Sequence, residues 1–146
     1  MPYVRKAAYR LATKFYVEFG KLRDKWYPEG KKIVPDDIEL TPECVANWYL
    51  GDGSITQNKT TKCFQLRLST NGFSSDEVIF LSDLLNDTLD IHSRFYVHSA
   101  ENKGLVIHIL RRRDVEIFLN YIRDFWISCY AHKFPVDLLR LVKNQK

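Results

Sequence analysis

The sequence predicts an α+β fold in which helices cover one face of an antiparallel sheet. Two strand-like pairs with period-two alternation, each followed by a segment of helical period, carry that prediction. A third observation is a capped helix start just ahead of the first pair. With 146 residues and 45% hydrophobic content, the chain can bury one compact core. Its 9 Phe, 8 Tyr and 3 Trp argue against disorder. We read residues 1–146 as one domain, with a basic helix and connector over 1–39 and a helix-strand-strand-helix-strand-strand-helix core over 40–146.

Tyr9, Leu11, Ala12, Phe15, Tyr16, Phe19 and Leu22 recur at helical steps, so a first amphipathic helix is expected over about residues 4–25. Its aromatics are read as core or subunit contact. A Pro-Glu-Gly turn at Pro28–Gly30 and a short extended piece at Ile33–Pro35 follow. Thr41-Pro42-Glu43 starts the second helix. Thr41 is its N-cap, Pro42 suits the first turn, and Glu43 meets the positive end of the dipole. That helix runs to about Leu50 and stops at Gly51-Asp52-Gly53.

Ser54–Gln57 is the first strand and Cys63–Ser69 the second. In the latter, Phe64, Leu66 and Leu68 oppose Gln65, Arg67 and Ser69. Ser74 or Ser75 caps a helix carrying Val78, Leu81 and Leu85. Ile91–Ser99 alternates again, with Phe95 and Val97 on one side and Arg94 and Tyr96 on the other. A hairpin loop at 101–104 leads to a fourth strand, Leu105–Leu110. Asp114 is expected to cap the next helix, and a last short helix over about Pro135–Val142 closes the chain.

The net charge is +4, and residues 1–35 hold nine Lys/Arg against three acids. Such a balance permits a polyanion partner or a solvated face. The acid-free start lacks the Ser-rich character of a transit peptide, so a folded basic helix is expected there. Three widely spaced cysteines form no zinc pattern and are read as buried reduced thiols. No apolar run approaches a membrane span, and no signal peptide is read. A cytoplasmic or organellar protein, not secreted, is expected.

One sheet face is expected to carry Ser54, Thr56, Gln65, Arg67, Arg94 and Tyr96. Arg pairs with guanine and Gln with adenine in the major groove, so these are candidate base contacts. His92, His98 and His108 are placed on strands, nearer a DNA-facing surface than a metal site. Arg111, Arg112 and Arg113 form a second basic cluster.

Val45-Ala46-Asn47-Trp48-Tyr49-Leu50-Gly51-Asp52-Gly53 resembles the LAGLIDADG motif position for position. Tyr27–Pro35 and Leu68–Ser74 resemble the flanking segments of one branch of that homing endonuclease family, and the similarity covers about residues 27–142. The resemblance implies a saddle-shaped αββαββα endonuclease domain that cuts both strands of double-stranded DNA. It implies that Asp52, with the Gly51 carbonyl, holds Mg²⁺ or another divalent cation. Thr70 or Asn71 would organise water near the scissile phosphate. Arg113, with Arg112 next, would stand beside the active site, with Arg111 and Arg112 as DNA contacts. Lys133 resembles a late basic position that touches DNA. Val45, Ala46 and Tyr49 are expected at a homodimer interface, because a single motif supplies one carboxylate and a two-fold symmetric pair suits a pseudo-palindromic target.

The motif departs from the family at Asn47, where Gly is usual, and at Leu50, where the first Asp stands in other members. Gly51 replaces the second Ala. The metal-binding acid is present as Asp52. Three other functions compete with the endonuclease: an RNA-binding maturase, a DNA-binding regulator without activity, and an α+β interaction domain unrelated to nucleic acid.

Overall fold

The computed structural model describes residues 14, 16–97 and 104–135. Helix α1 spans Val17–Trp26, α2 Pro42–Asp52, α3 Ser75–Leu89 and α4 Arg112–Tyr121. The strands are β1 (Gly53–Gln57), β2 (Phe64–Leu68), β3 (Ser93–Val97) and β4 (Leu105–Ile109). They form one antiparallel sheet in the order β1-β2-β4-β3. From α2 onward the order of elements is the one expected. The 98–103 segment and the helix expected over 135–142 fall outside the described residues, apart from Pro135.

The sheet separates two chemistries because side chains alternate along each strand. Leu66 opposite Ile109 and Leu68 opposite Ile107 fill the helix-covered side and are fully buried. Val45, Tyr49, Val78, Leu85, Val115 and Phe118 meet them from α2, α3 and α4. Tyr49 lies at the centre, edge-on to Phe118 and Phe134 with ring centroids 5.5 and 5.8 Å away. Phe95 and Val97, expected on the covered side, stay exposed at the end of edge strand β3.

Caps explain where α2 and α3 start. The Thr41 hydroxyl accepts the Cys44 N–H at 3.2 Å, and Pro42 occupies the first turn. Ser74 and Glu77 form a reciprocal capping box at α3. Glu77 also accepts the Val34 N–H at 2.9 Å, which pins the connector to the helix start. The expected cap at Asp114 is corrected. Arg111 is the N-cap residue, and Asp114 sits inside the first turn, fully buried. It accepts the His92 N–H at 3.1 Å through Oδ2, tying α4 to the entry of β3.

Two further expectations change. Helix α1 buries none of its described residues, and Tyr16, Phe19 and Leu22 are about half exposed, so they are not core. The cysteines are free but not buried, since Cys63 and Cys129 are exposed and Cys44 is half-buried. Among the described residues, no helix is long and apolar enough to cross a membrane.

Burial works to raise the Glu77 pKa, but hydrogen bonds from Ser74 and Val34 and the charge of Lys31 together hold it below the ordinary carboxylate value of about 4.3. A depressed folded value gives stability that is present above the unfolded pKa and lost as pH falls through the folded one. Urea denaturation should therefore show wild-type stability declining below about pH 4.3, with a shallower decline in Glu77→Gln. Equal slopes in the two proteins would remove Glu77 from the acid response.

Candidate functional site

Helix α2 passes into β1 with no loop between them. Asp52 is the last helical residue and is exposed. Gly53 has ordinary extended dihedrals, so a sharp turn does not explain the glycine. Close approach does: a Cβ there would lie 2.5 Å from the Tyr49 carbonyl oxygen and 2.9 Å from its Cα. The Ser69 N–H donates to the Asp52 carbonyl at 3.2 Å, fixing the junction to the end of β2.

Lys133 completes this corner from the late 3₁₀ segment Ser128–Lys133. Its ammonium donates to the carbonyls of Tyr49, Leu50 and Gly53 at 3.2, 2.6 and 2.8 Å. The Tyr49 hydroxyl donates back to the Lys133 carbonyl. Burial pushes the tyrosine's pKa well up, so it stays a neutral donor. A cation at a helix C-terminus is also favoured by the dipole. Burial lowers the Lys133 pKa, while the charge of Asp52 acts to raise it. The two side chains therefore sense one another. Lys133 was expected as a DNA contact, and its proximity to the motif acid is legible only after folding.

Thr70 and Asn71 follow β2 at this same end. Thr70 is 1% exposed and donates to the Leu105 carbonyl at 2.8 Å. It serves the hairpin rather than the surface, which corrects its expected role near a phosphate. Asn71 is exposed, and its backbone and Cβ pack so closely on Gly104 that any Cβ there would meet them at 2.6–2.8 Å.

Arg111–Arg113 follow β4 and so lie at the other end of the strands. Asp52 adjoins the Leu68 end of β2, whereas Ile109 faces Leu66 at its middle and Arg112 reaches the Phe64 ring at its start, 5.9 Å from the centroid. At about 3.3 Å per residue the length of a strand, roughly 13 Å, separates the clusters. Arg113 bonds Asp90 at 3.4 Å and lies 3.6 Å from Asp114. Arg112 bonds Glu116 at 2.8 Å. The structure thus does not bring Arg113 to Asp52, and its expected place beside the active site is corrected.

The open sheet face holds every strand residue expected there. Ser54 stands opposite Arg67, Thr56 opposite Gln65, and Arg67 and Arg94 both opposite His108. Tyr96 shares this face and meets the His108 ring edge-on at 5.1 Å. The role of Val45, Ala46 and Tyr49 at a subunit interface is corrected, because they are 0–2% exposed inside the core. Glu43, Asn47 and Gly51 form the outward stripe of α2 instead.

Among the described residues, no group of three or more His, Cys, Asp or Glu could enclose a metal. One exposed carboxylate beside a backbone carbonyl still fits Mg²⁺, which keeps several waters and takes phosphate oxygens as further ligands.

A four-stranded antiparallel sheet with helices on one face, a polar opposite face and a lone acid at a helix end defines the architecture of a homing endonuclease domain. The sequence profile of the LAGLIDADG DNA endonuclease family matches residues 3–118, and the chain belongs to that family. An uncharacterised protein of Methanocaldococcus jannaschii is 34% identical over 125 residues, 86% of this chain and 47% of its own length. A probable intron-encoded endonuclease of Wickerhamomyces canadensis is 30% identical over 129 residues, 86% of this chain and 54% of its own. The cytochrome b mRNA maturase bI2 of Debaryomyces hansenii is 34% identical over 93 residues, covering 62% of this chain and 33% of that protein. Among solved structures, the homing endonuclease I-WcaI bound to its DNA recognition sequence matches with a TM-score of 0.71 at 28% identity, over 80% of this chain and 52% of that one. The chain spans about half the length of the first two of these curated relatives and about a third of the maturase.

Two outcomes are expected at this corner. Asp52→Asn removes the influence that raises the Lys133 pKa, so heteronuclear NMR of the lysine side chain should show that pKa falling further. An unchanged or higher value would mean the two groups do not interact. Gly53→Ala should destabilise the fold by about 3 kcal/mol in chemical denaturation, because the added carbon meets backbone atoms. A loss well below 1 kcal/mol would show that the junction relaxes.

Proposed function

We propose that this chain is a site-specific DNA endonuclease, dependent on a divalent cation, that acts as a homodimer on a long pseudo-palindromic target and promotes intron or intein homing. The observation that carries the proposal is the exposed Asp52 carboxylate beside the Lys133 ammonium, at one end of a polar sheet face. The family and the DNA-bound relative support the substrate class.

Asp52 and the Gly51 carbonyl would hold Mg²⁺, which when bound supplies positive charge against the phosphate oxygens of the scissile bond. Asp52 supplies the anionic anchor. Lys133, whose three N–H groups go to the carbonyls of Tyr49, Leu50 and Gly53, would act through its charge alone on the phosphate as negative charge grows there, a role we assign to it in place of Arg113. Asn71, exposed at the same strand end, is the candidate to orient that water. Ser54, Thr56, Gln65, Arg67, Arg94 and Tyr96 would contact base edges, and Arg111 and Arg112 the phosphates at the far strand end. One chain supplies one motif carboxylate, so a second copy would supply the other through the Glu43, Asn47 and Gly51 stripe.

Similarity to mRNA maturases favours a second reading, an RNA-binding splicing factor on the same fold. A plasmid-library cleavage assay with Mg²⁺ separates the two. Wild type should cut both strands at a defined site, and Asp52→Asn should abolish cutting while leaving salt-sensitive binding intact. Lys133→Met should slow cleavage by about 10²–10³, the usual loss for one electrostatic stabiliser. Nucleic-acid binding without cleavage, together with stimulation of intron splicing, would select the maturase. Light scattering of the DNA complex should give two copies per site, and a single copy would reject the homodimer.

A further inference from the structure

We propose that His108 is a specificity-determining residue: its ring sets which way the Gln65 amide faces, and hence which base edge Gln65 reads. This rests on the DNA-reading function proposed above.

His108 lies on β4, an inner strand, at the middle of the open face. Its directly opposite neighbours are Arg67 on β2 and Arg94 on β3. Gln65 and Tyr96 are diagonal to it. The Gln65 amide nitrogen is 2.7 Å from His108 Nδ1, and the Tyr96 ring packs edge-on at 5.1 Å. Gln65 itself is exposed. This puts a ring with two titration states in contact with a side chain that has two distinct hydrogen-bonding ends.

An amide nitrogen only donates, so in the neutral ring with its proton on Nε2 the Nδ1 atom accepts from Gln65. Gln65 then turns its carbonyl oxygen and one N–H outward. That donor-acceptor pair matches N6 and N7 of adenine in the major groove. Adding a proton makes Nδ1 a donor, which the Gln65 amide can meet through its oxygen and not through its nitrogen. The amide must turn over, and both outward groups become N–H donors. Two donors match O6 and N7 of guanine, which are both acceptors. Protonation of His108 therefore switches Gln65 from an adenine reader towards a guanine reader.

The charged and titratable groups facing His108 across the sheet are Arg67 from β2, and Arg94 and Tyr96 from β3.

Selection from a randomised DNA library without divalent metal, for wild type, Gln65→Ala and His108→Phe, tests the proposal. Runs at about pH 8 and about pH 5.5 straddle the ordinary imidazole value of about 6.5. Gln65→Ala identifies the base pair that Gln65 reads, by loss of preference there alone. At that base pair wild type should favour adenine about tenfold at the higher pH and shift towards guanine at the lower. His108→Phe should lose both the preference and its pH dependence. A wild-type preference equal at both pH values, a His108→Phe preference like wild type, or no base pair altered by Gln65→Ala would each overturn the proposal while leaving DNA reading intact. Failure of wild type to select any site would overturn the DNA-reading function, and this proposal with it. A readout free of DNA is the NMR signal of the Gln65 side-chain amide. It should titrate with the His108 ring in wild type, and a Gln65 amide that ignores the ring would also overturn the proposal.

Discussion

The last carbonyls of α2 must find partners at the point where the chain turns straight into a strand. A helix leaves its final carbonyls unsatisfied, and no loop follows α2 to satisfy them. Lys133 resolves this by taking those of Tyr49 and Leu50, together with the Gly53 carbonyl of β1, and Ser69 takes that of Asp52. The Tyr49 hydroxyl returns a bond to the lysine's own backbone, so Lys133 is held by its side chain and its main chain alike. This closure fixes α2 against the sheet, and it fixes Asp52 in space as well. The ammonium also balances the negative end of the helix and the acid beside it, which would otherwise repel each other.

Most of the fold was legible because local periods and tertiary burial agree. Phe64, Leu66 and Leu68 alternate in the sequence and are all buried in the molecule. Thr41-Pro42 and Ser74 mark helix starts that the structure keeps. For helix α1, periodicity shows that an apolar stripe exists and not what covers it, and of the two readings, core or subunit contact, the exposure of Tyr16, Phe19 and Leu22 removes the first. Asp114 misled for a related reason. An acid near a helix start resembles a cap, yet here its oxygen is spent on the His92 N–H of another element.

The site divided along the same line. Asp52 and the open-face residues follow from short-range pattern, the motif and the alternation. Lys133 lies 80 residues from Gly53 in sequence, and no local pattern links the two. Arg113 was favoured over it because the family resemblance implies a basic residue beside the active site there, but strand direction carries it to the far end. The phase of α2 was the finer error. Val45, Ala46 and Tyr49 point at the sheet, and the small residue Gly51 with Asn47 points away. A heptad-length stretch of sequence does not reveal which side of a helix its own domain will claim.

The two-residue period of the sheet has an evolutionary consequence. Along β2 the side chains that hold the domain together and those that look outward are interleaved, one after another, on a single five-residue stretch. A substitution at Gln65 or Arg67 therefore alters the outward surface with little effect on packing, while its neighbours at 64, 66 and 68 keep the interior unchanged. Val106 is the exception, since it is buried although it lies on the outward side. Elsewhere on that face recognition can drift by single steps, each yielding a folded protein, so a lineage can move to new targets without first repairing its scaffold.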